Sequence, residues 1–135
     1  MKFDRTYRVL LEAEVPAGPN ERMRLRRDTK ISDYFSDDIA EVANLYMVDN
    51  VSSIKLKIRV FFNVTRSGIH IDDSLLMTIP LNEEKTWEDV IHSIMFRICK
   101  SRGKTDKKAN QLADYAKKTD NDYCKFEITK SWIIP

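Results

Sequence analysis

His70, Asp72 and Asp73 come closest, in this 135-residue chain, to a reactive constellation. His70 and Asp72 stand at i and i+2, which puts them on one face of an extended chain. With His92 added, such a cluster could hold a divalent metal or exchange protons. The chain has only two histidines, however, and neither lies in a catalytic or metal-binding motif. An Asp-Asp pair beside an interrupted strand pattern is common loop or bulge chemistry. There is no glycine-rich phosphate loop, no nucleophile elbow and no C-x-x-C. The sequence therefore predicts no enzyme: no catalytic residue, no metal, no cofactor and no small-molecule substrate.

Clustered positive charge is the more informative chemistry. Lys and Arg number 23 against 21 Asp and Glu, a net charge of +2, so only local grouping can speak to partners. Lys55, Lys57 and Arg59 alternate along one segment, and Arg22, Arg24, Arg26 and Arg27 crowd another. A third group, Arg97, Lys100, Arg102, Lys104, Lys107 and Lys108, surrounds the junction of two expected helices. The acids concentrate elsewhere, in 33–49 and 72–89. Each group taken singly can be a solvated face balanced by nearby carboxylates. Together they predict a basic side that attracts phosphate, of RNA or of anionic lipid headgroups, through a salt-sensitive interaction. The candidate contacts are Lys55, Lys57, Arg59, Arg22, Arg24, Arg26, Arg27, Lys100, Arg102, Lys104, Lys107 and Lys108. Phe61, Tyr115 and Tyr123 lie among them and either stack on bases or pack within the fold.

These residues must be held by something, and the firmest element is a hairpin over 54–81. Ile54, Leu56, Ile58, Val60, Phe62 and Val64 alternate with Lys55, Lys57, Arg59, Asn63 and Thr65, the pattern of a strand with one buried face. Gly68 can supply the positive φ of the reversal. Ile69, Ile71, Leu75, Met77 and Ile79 run back, with Asp72-Asp73-Ser74 expected to form a bulge. Tyr7–Val15 reads as a first strand, closed by the Pro16–Asn20 turn. Helices are expected over Ser36–Met47, Thr86–Arg102 (Thr86 and Asp89 forming a capping box, Gly103 the stop) and Thr105–Lys118. Cys124, Phe126, Ile128 and Trp132 alternate along a last strand. Trp132-Ile133-Ile134-Pro135 close the sequence, and Trp132, Ile133 and Ile134 are expected to dock in the core or to mediate self-association with a neighbouring subunit.

The order of elements predicts an α+β fold: a β-rich single domain over 1–135, an antiparallel sheet or sandwich around the long hairpin, with two or three helices. A 42 % apolar fraction with few Gly and Pro is that of a folded domain burying roughly two-thirds of its surface. Cys99 and Cys124 are read as reduced and packed, as in a cytosolic or nuclear chain. Met1–Arg5 carries no signal-peptide pattern, and no apolar run approaches the ~18 residues of a membrane span. Membrane contact, if any, is expected to be peripheral, and the chain is not expected to be secreted.

Lys30-Ile31-Ser32-Asp33-Tyr34-Phe35 and Ile71-Asp72-Asp73-Ser74-Leu75-Leu76-Met77-Thr78 resemble segments of bornavirus matrix proteins. Ile91, Met95-Phe96, Arg97 and Lys100 are similar to the helix that follows in that family. The likeness covers about half the chain, which is longer between the first two blocks. Rhabdovirus matrix proteins are next nearest in appearance. The resemblance implies a virion protein that forms homo-oligomers and lies between ribonucleoprotein and the inner face of the membrane. It would act in the host cytoplasm or nucleus, support assembly and budding, and bind RNA or anionic lipid through basic surfaces. The chain departs from such proteins in lacking a PPxY or PTAP motif and a flexible basic N-terminal arm. A different class also fits the residues: a small soluble RNA- or protein-binding regulatory module with no membrane role.

Overall fold

The computed structural model describes residues 13–15, 26–45, 47 and 51–134. At its centre β2 (Ser53–Val64) and β3 (Ile69–Pro80) form the long hairpin. Ile54, Leu56, Ile58, Val60 and Phe62 are all buried, and the residues between them are exposed or half-buried. Each such side chain contributes about 1.5–3 kcal/mol when withdrawn from water, so their spacing fixes which face turns inward. A 3-10 turn, Thr65–Ser67, reverses the chain, and Gly68 closes it at φ 68°. The Ser67 hydroxyl donates to Val64 O at 2.6 Å and accepts the Ile69 N–H at 3.0 Å, fastening the corner.

The register of β2 on β3 runs unbroken from Ser53 opposite Pro80 to Val64 opposite Ile69. Asp72-Asp73-Ser74 therefore sits in regular strand, and the bulge expected there does not form. The irregularity lies instead in β4 (Cys124–Ile134), which pairs antiparallel with the other side of β2. Lys57 faces Lys130 while Ile58 faces Ile128, leaving Thr129 as the extra residue. Its hydroxyl donates to Lys57 O at 3.2 Å and anchors the bulge. A short β1 (Ala13–Val15) pairs with the far side of β4, giving the strand order β1-β4-β2-β3. Of the first strand expected over Tyr7–Val15, only these three residues are described.

One layer of helices covers the inward face of the sheet. α1 (Ile31–Tyr34) is a single turn leading into α2 (Ser36–Leu45); Met47, the expected end of that helix, stands in a turn. α3 (Trp87–Ser101) and α4 (Asp106–Lys118) follow β3. Trp87, Val90, Ile91, Ile94, Met95 and Cys99 of α3 join Ala109, Leu112, Ala113 and Ala116 of α4 and the inward strand residues in one cluster. The architecture of the described residues is thus α+β in two layers, one antiparallel sheet with helices where a sandwich would carry its second sheet. Cys99 and Cys124 are free thiols inside this core, and burial pushes the Cys124 thiol up to about 11. No helix among the described residues is long and apolar enough to cross a membrane.

The start of α3 shows why the helix begins where it does. Thr86 N–H donates to the Asp89 carboxylate at 3.0 Å, and Asp89 N–H donates to Thr86 Oγ1 at 3.3 Å, so two otherwise orphaned donors are satisfied. The bond from the Thr86 backbone, aided by its hydroxyl and by Lys85 and Lys117, holds the Asp89 carboxyl below its ordinary value against the opposing effect of burial. A depressed carboxyl stabilises the fold above its unfolded value, and that contribution is lost as pH falls through the folded one. Thr86→Ala is expected to cost about 1 kcal/mol in denaturant unfolding at neutral pH. Asp89→Asn should flatten the acid limb of the stability profile.

Candidate nucleic-acid interface

The face of the sheet turned away from the helices carries the chemistry. On β2 it presents Lys55, Lys57, Arg59, Phe61 and Asn63, because their alternate neighbours are committed to the core. On β4 the Thr129 bulge changes the parity. Cys124, Phe126 and Ile128 point inward, and beyond the bulge Ser131 and Ile133 do so, both fully buried. Lys125, Glu127, Lys130, Trp132 and Ile134 consequently share the outer face. β3 adds His70, Asp72, Ser74, Leu76 and Thr78, all exposed.

The cross-strand register sets cations beside aromatic rings. Lys55 stands opposite Trp132, its ammonium 5.5 Å from the ring centroid. Phe61 stands opposite Lys125 and lines a shallow pocket of about 160 Å³ with Arg59, Lys125, Asp122 and Glu127. Lys57 faces Lys130 directly, an arrangement of like charges that destabilises a strand pair. Among the described residues, neither Lys55 nor Lys57 has a carboxylate within 4.0 Å. Arg59 reaches Asp72 at 3.3 Å and Lys125 reaches Asp122 at 3.5 Å. Both pairs are solvent-exposed, and such pairs hold by about 1 kcal/mol or less, a strength at which a phosphate can displace the carboxylate.

The other predicted cations do different work. Arg22 and Arg24 lie outside the described residues, and Arg26 is exposed beside Asp28 at 3.2 Å. Arg27 is no surface contact. Its side chain, 14 % exposed, donates to Ala116 O at 2.7 Å and Thr119 O at 2.8 Å, and its guanidinium lies 5.5 Å from the Phe126 ring centroid. It ties together two carbonyls at the end of α4, of which Ala116 O also accepts the Thr119 N–H at 3.4 Å. Lys100 is held by Asp106 at 2.6 Å across the α3–α4 corner, and Arg102 donates to His70 O at 3.3 Å. Gly103, at φ 81°, turns that corner. Lys104 Nζ lies 3.5 Å from where a side chain at Gly68 would begin. Lys107 is exposed and Lys108 half-buried. Arg102 and Lys104 therefore lie at the hairpin tip, and Lys100 at the adjoining α3–α4 corner.

Trp132, Ile133 and Ile134 are not a tail. They belong to β4, where Ile133 is fully buried and unavailable to a neighbour, while Trp132 and Ile134 lie half-buried on the outer face. The elements of the catalytic reading are likewise dispersed. By strand parity Asp72 shares the outer face with Arg59, whereas Asp73 lies on the inward side opposite Val60. His92 sits on α3 beside Asp114 at 3.5 Å. Among the described residues no group of three His, Cys, Asp or Glu could hold a metal. Sequence reasoning missed Lys130 and Trp132 as members of the face, because only the bulge brings them there, and missed Lys125 although simple alternation with Cys124 and Phe126 already turns it outward. The chain matches no family model, no curated protein and no solved structure.

Trp87 is 1 % exposed and Trp132 half-buried, so the two tryptophans report on opposite sides of the sheet. Iodide should quench Trp132 in a Trp87→Phe variant. Deletion of Thr129, the extra residue, would make Ile128 and Lys130 consecutive in the ladder opposite Ile58 and Lys57, with Ser131 still inward and Trp132 still outward. The expected outcome is that quenching persists; its loss, with Lys130 driven toward the core and a drop of several kcal/mol in stability, would contradict this register.

Proposed function

We propose that this protein binds single-stranded RNA on the outer face of its sheet, as a structural docking module rather than a catalyst. The observation that carries the reading is the interleaving of Lys55, Lys57, Arg59, Lys125 and Lys130 with Phe61 and Trp132 on one surface. Cations follow a phosphate backbone, and flat rings accept bases of any sequence. A lipid headgroup layer would use the same charges but has no need of rings at the centre of a sheet, so the face favours nucleic acid.

In the wider role we propose, the protein is a matrix-type structural component. Copies side by side would bridge ribonucleoprotein and the inner face of a membrane in the virion and the infected cell. That role draws on the short sequence blocks at 30–35 and 71–78 and on a sheet face suited to many weak contacts. Each subunit's electrostatic contacts are modest alone, and assembly multiplies them.

Fluorescence anisotropy with a single-stranded RNA oligomer over a salt series tests the reading. Lys55→Glu with Lys57→Glu should weaken binding at least tenfold while the domain stays folded. The salt slope should fall by about 0.7 for each phosphate no longer neutralised. Trp132→Ala should cost about 1–3 kcal/mol of affinity with little change in slope. Unaltered RNA affinity in the lysine variant would sink the reading. So would binding to phosphatidylserine vesicles with none to RNA, which would make the face a membrane surface instead.

A further inference from the structure

The outermost strand, β3, has one side without a partner among the described residues, and its hydrogen-bonding groups can be assigned. Asn63 N–H is given to Tyr123 O, on the β4 side of the sheet. Alternation then turns Phe62 and Val64, and the rest of their set, toward β3, so Ile71, Asp73, Leu75, Met77 and Ile79 bond β2. The main-chain groups of His70, Asp72, Ser74, Leu76, Thr78 and Pro80 therefore point to the free edge.

Part of that edge is already closed. Arg102 takes His70 O at 3.3 Å, the Asp73 carboxylate takes Ser74 N–H at 2.8 Å, and Pro80 has no N–H to give. Such closures are how proteins keep edges from pairing at random. They leave open a short stretch, Ser74–Thr78, whose side chains include Leu76 at 57 % exposure between half-buried Leu75 and Met77. A stretch open at its middle and closed at its ends restricts its partner to one register.

We propose that the β3 edge joins two copies of this chain, antiparallel, with Leu76 opposite Leu76 of the second copy. This rests on the side-by-side assembly proposed above and names the surface responsible. In that register Leu76 N–H and C=O of each copy bond those of the other, and Thr78 N–H of each donates to Ser74 C=O of the other. Leu75 meets Met77 on the inward side. Asp72 falls opposite Pro80 and Asp73 opposite Ile79, so no carboxylates face one another, and the two Asp72 residues stand about 27 Å apart at ~3.4 Å per residue. Beyond the strands, His70 of one copy falls opposite Asn82 of the other. The turn carrying Glu83 and Glu84 then lies beside the end where Arg102 caps His70. Charge thus favours this register.

Opposed residues of an antiparallel pair point to the same face. Four strands from each copy become one continuous sheet, with both cationic faces on one side and the helices on the other. A single RNA strand could then cross the join without leaving the charged surface.

Leu76→Cys tests the register. Its Cα atoms would stand about 5.5 Å apart across the two-fold axis, within disulfide reach, and mild oxidation should yield a covalent dimer. Thr78→Cys, opposite Ser74, should not. The native Cys99 and Cys124 are buried and do not compete. Light scattering without RNA should give twice the 15.8 kDa chain mass for the wild type. Thr78→Pro, which removes only an outward N–H, and Leu76→Lys should both give the single mass. A wild type that stays at the single mass at high concentration overturns the proposal. So does oxidative cross-linking of the Thr78→Cys variant as readily as of the Leu76→Cys variant. Because a short oligomer occupies one subunit's face, its binding by the monomeric Thr78→Pro and Leu76→Lys variants is measured separately, and its loss would count against the RNA reading instead.

Discussion

Everything in this molecule follows from the burial of one side of β2. Five apolar side chains at alternate positions are covered by α3 and α4, and a one-residue slip would replace them with Lys55, Lys57 and Arg59. Burying even one unpaired ammonium costs more than the slip could recover. The central strand is therefore locked, and its cations are held at fixed intervals on the opposite side. A cationic face is thus a by-product of the core and shares its rigidity. The scaffold fixes the backbone positions of these cations, while the lysine side chains themselves would still lose rotamer freedom on pairing with a ligand.

Two departures from a plain sheet shape that face and its edge. The Thr129 bulge reverses the sidedness of the end of β4, bringing Trp132 and Lys130 beside Lys55 and Lys57 while sending Ser131 into the core. The partly closed β3 edge limits how the sheet can be extended. Both act on the same surface, one by placing rings among the charges and the other by setting the direction in which the surface could be repeated. A sheet with charge alone would bind polyanions without preference, and a sheet with an unguarded edge would aggregate.

The sequence disclosed what depends on near neighbours. The hairpin over 54–81, the Gly68 reversal and the Thr86–Asp89 cap are local patterns and stand in the fold as expected. The caps and inward stripes of α3 and α4 were legible for the same reason. What could not be read depends on distant partners. Ile128 and Trp132 fit an unbroken alternation, and only pairing with Lys57 and Ile58 exposes the extra residue between them. Arg27 looked like one more surface cation because the carbonyl it serves, Ala116 O, lies 89 residues away. Asp72 and Asp73 interrupted the apolar pattern without interrupting the strand, since an edge position lets Asp73 stay in water on the same side as buried Ile71 and half-buried Leu75.

Ultraviolet cross-linking to a single-stranded RNA, followed by mapping of the modified peptides, bears most directly on the claim that the sheet's outer face is the binding surface. Stacked rings react at close range, so adducts should concentrate on Phe61 and Trp132, within the β2 and β4 peptides. Adducts confined to the hairpin tip and the α3–α4 corner, around Lys104 and Lys107, would contradict the account and move the interface to the other basic cluster.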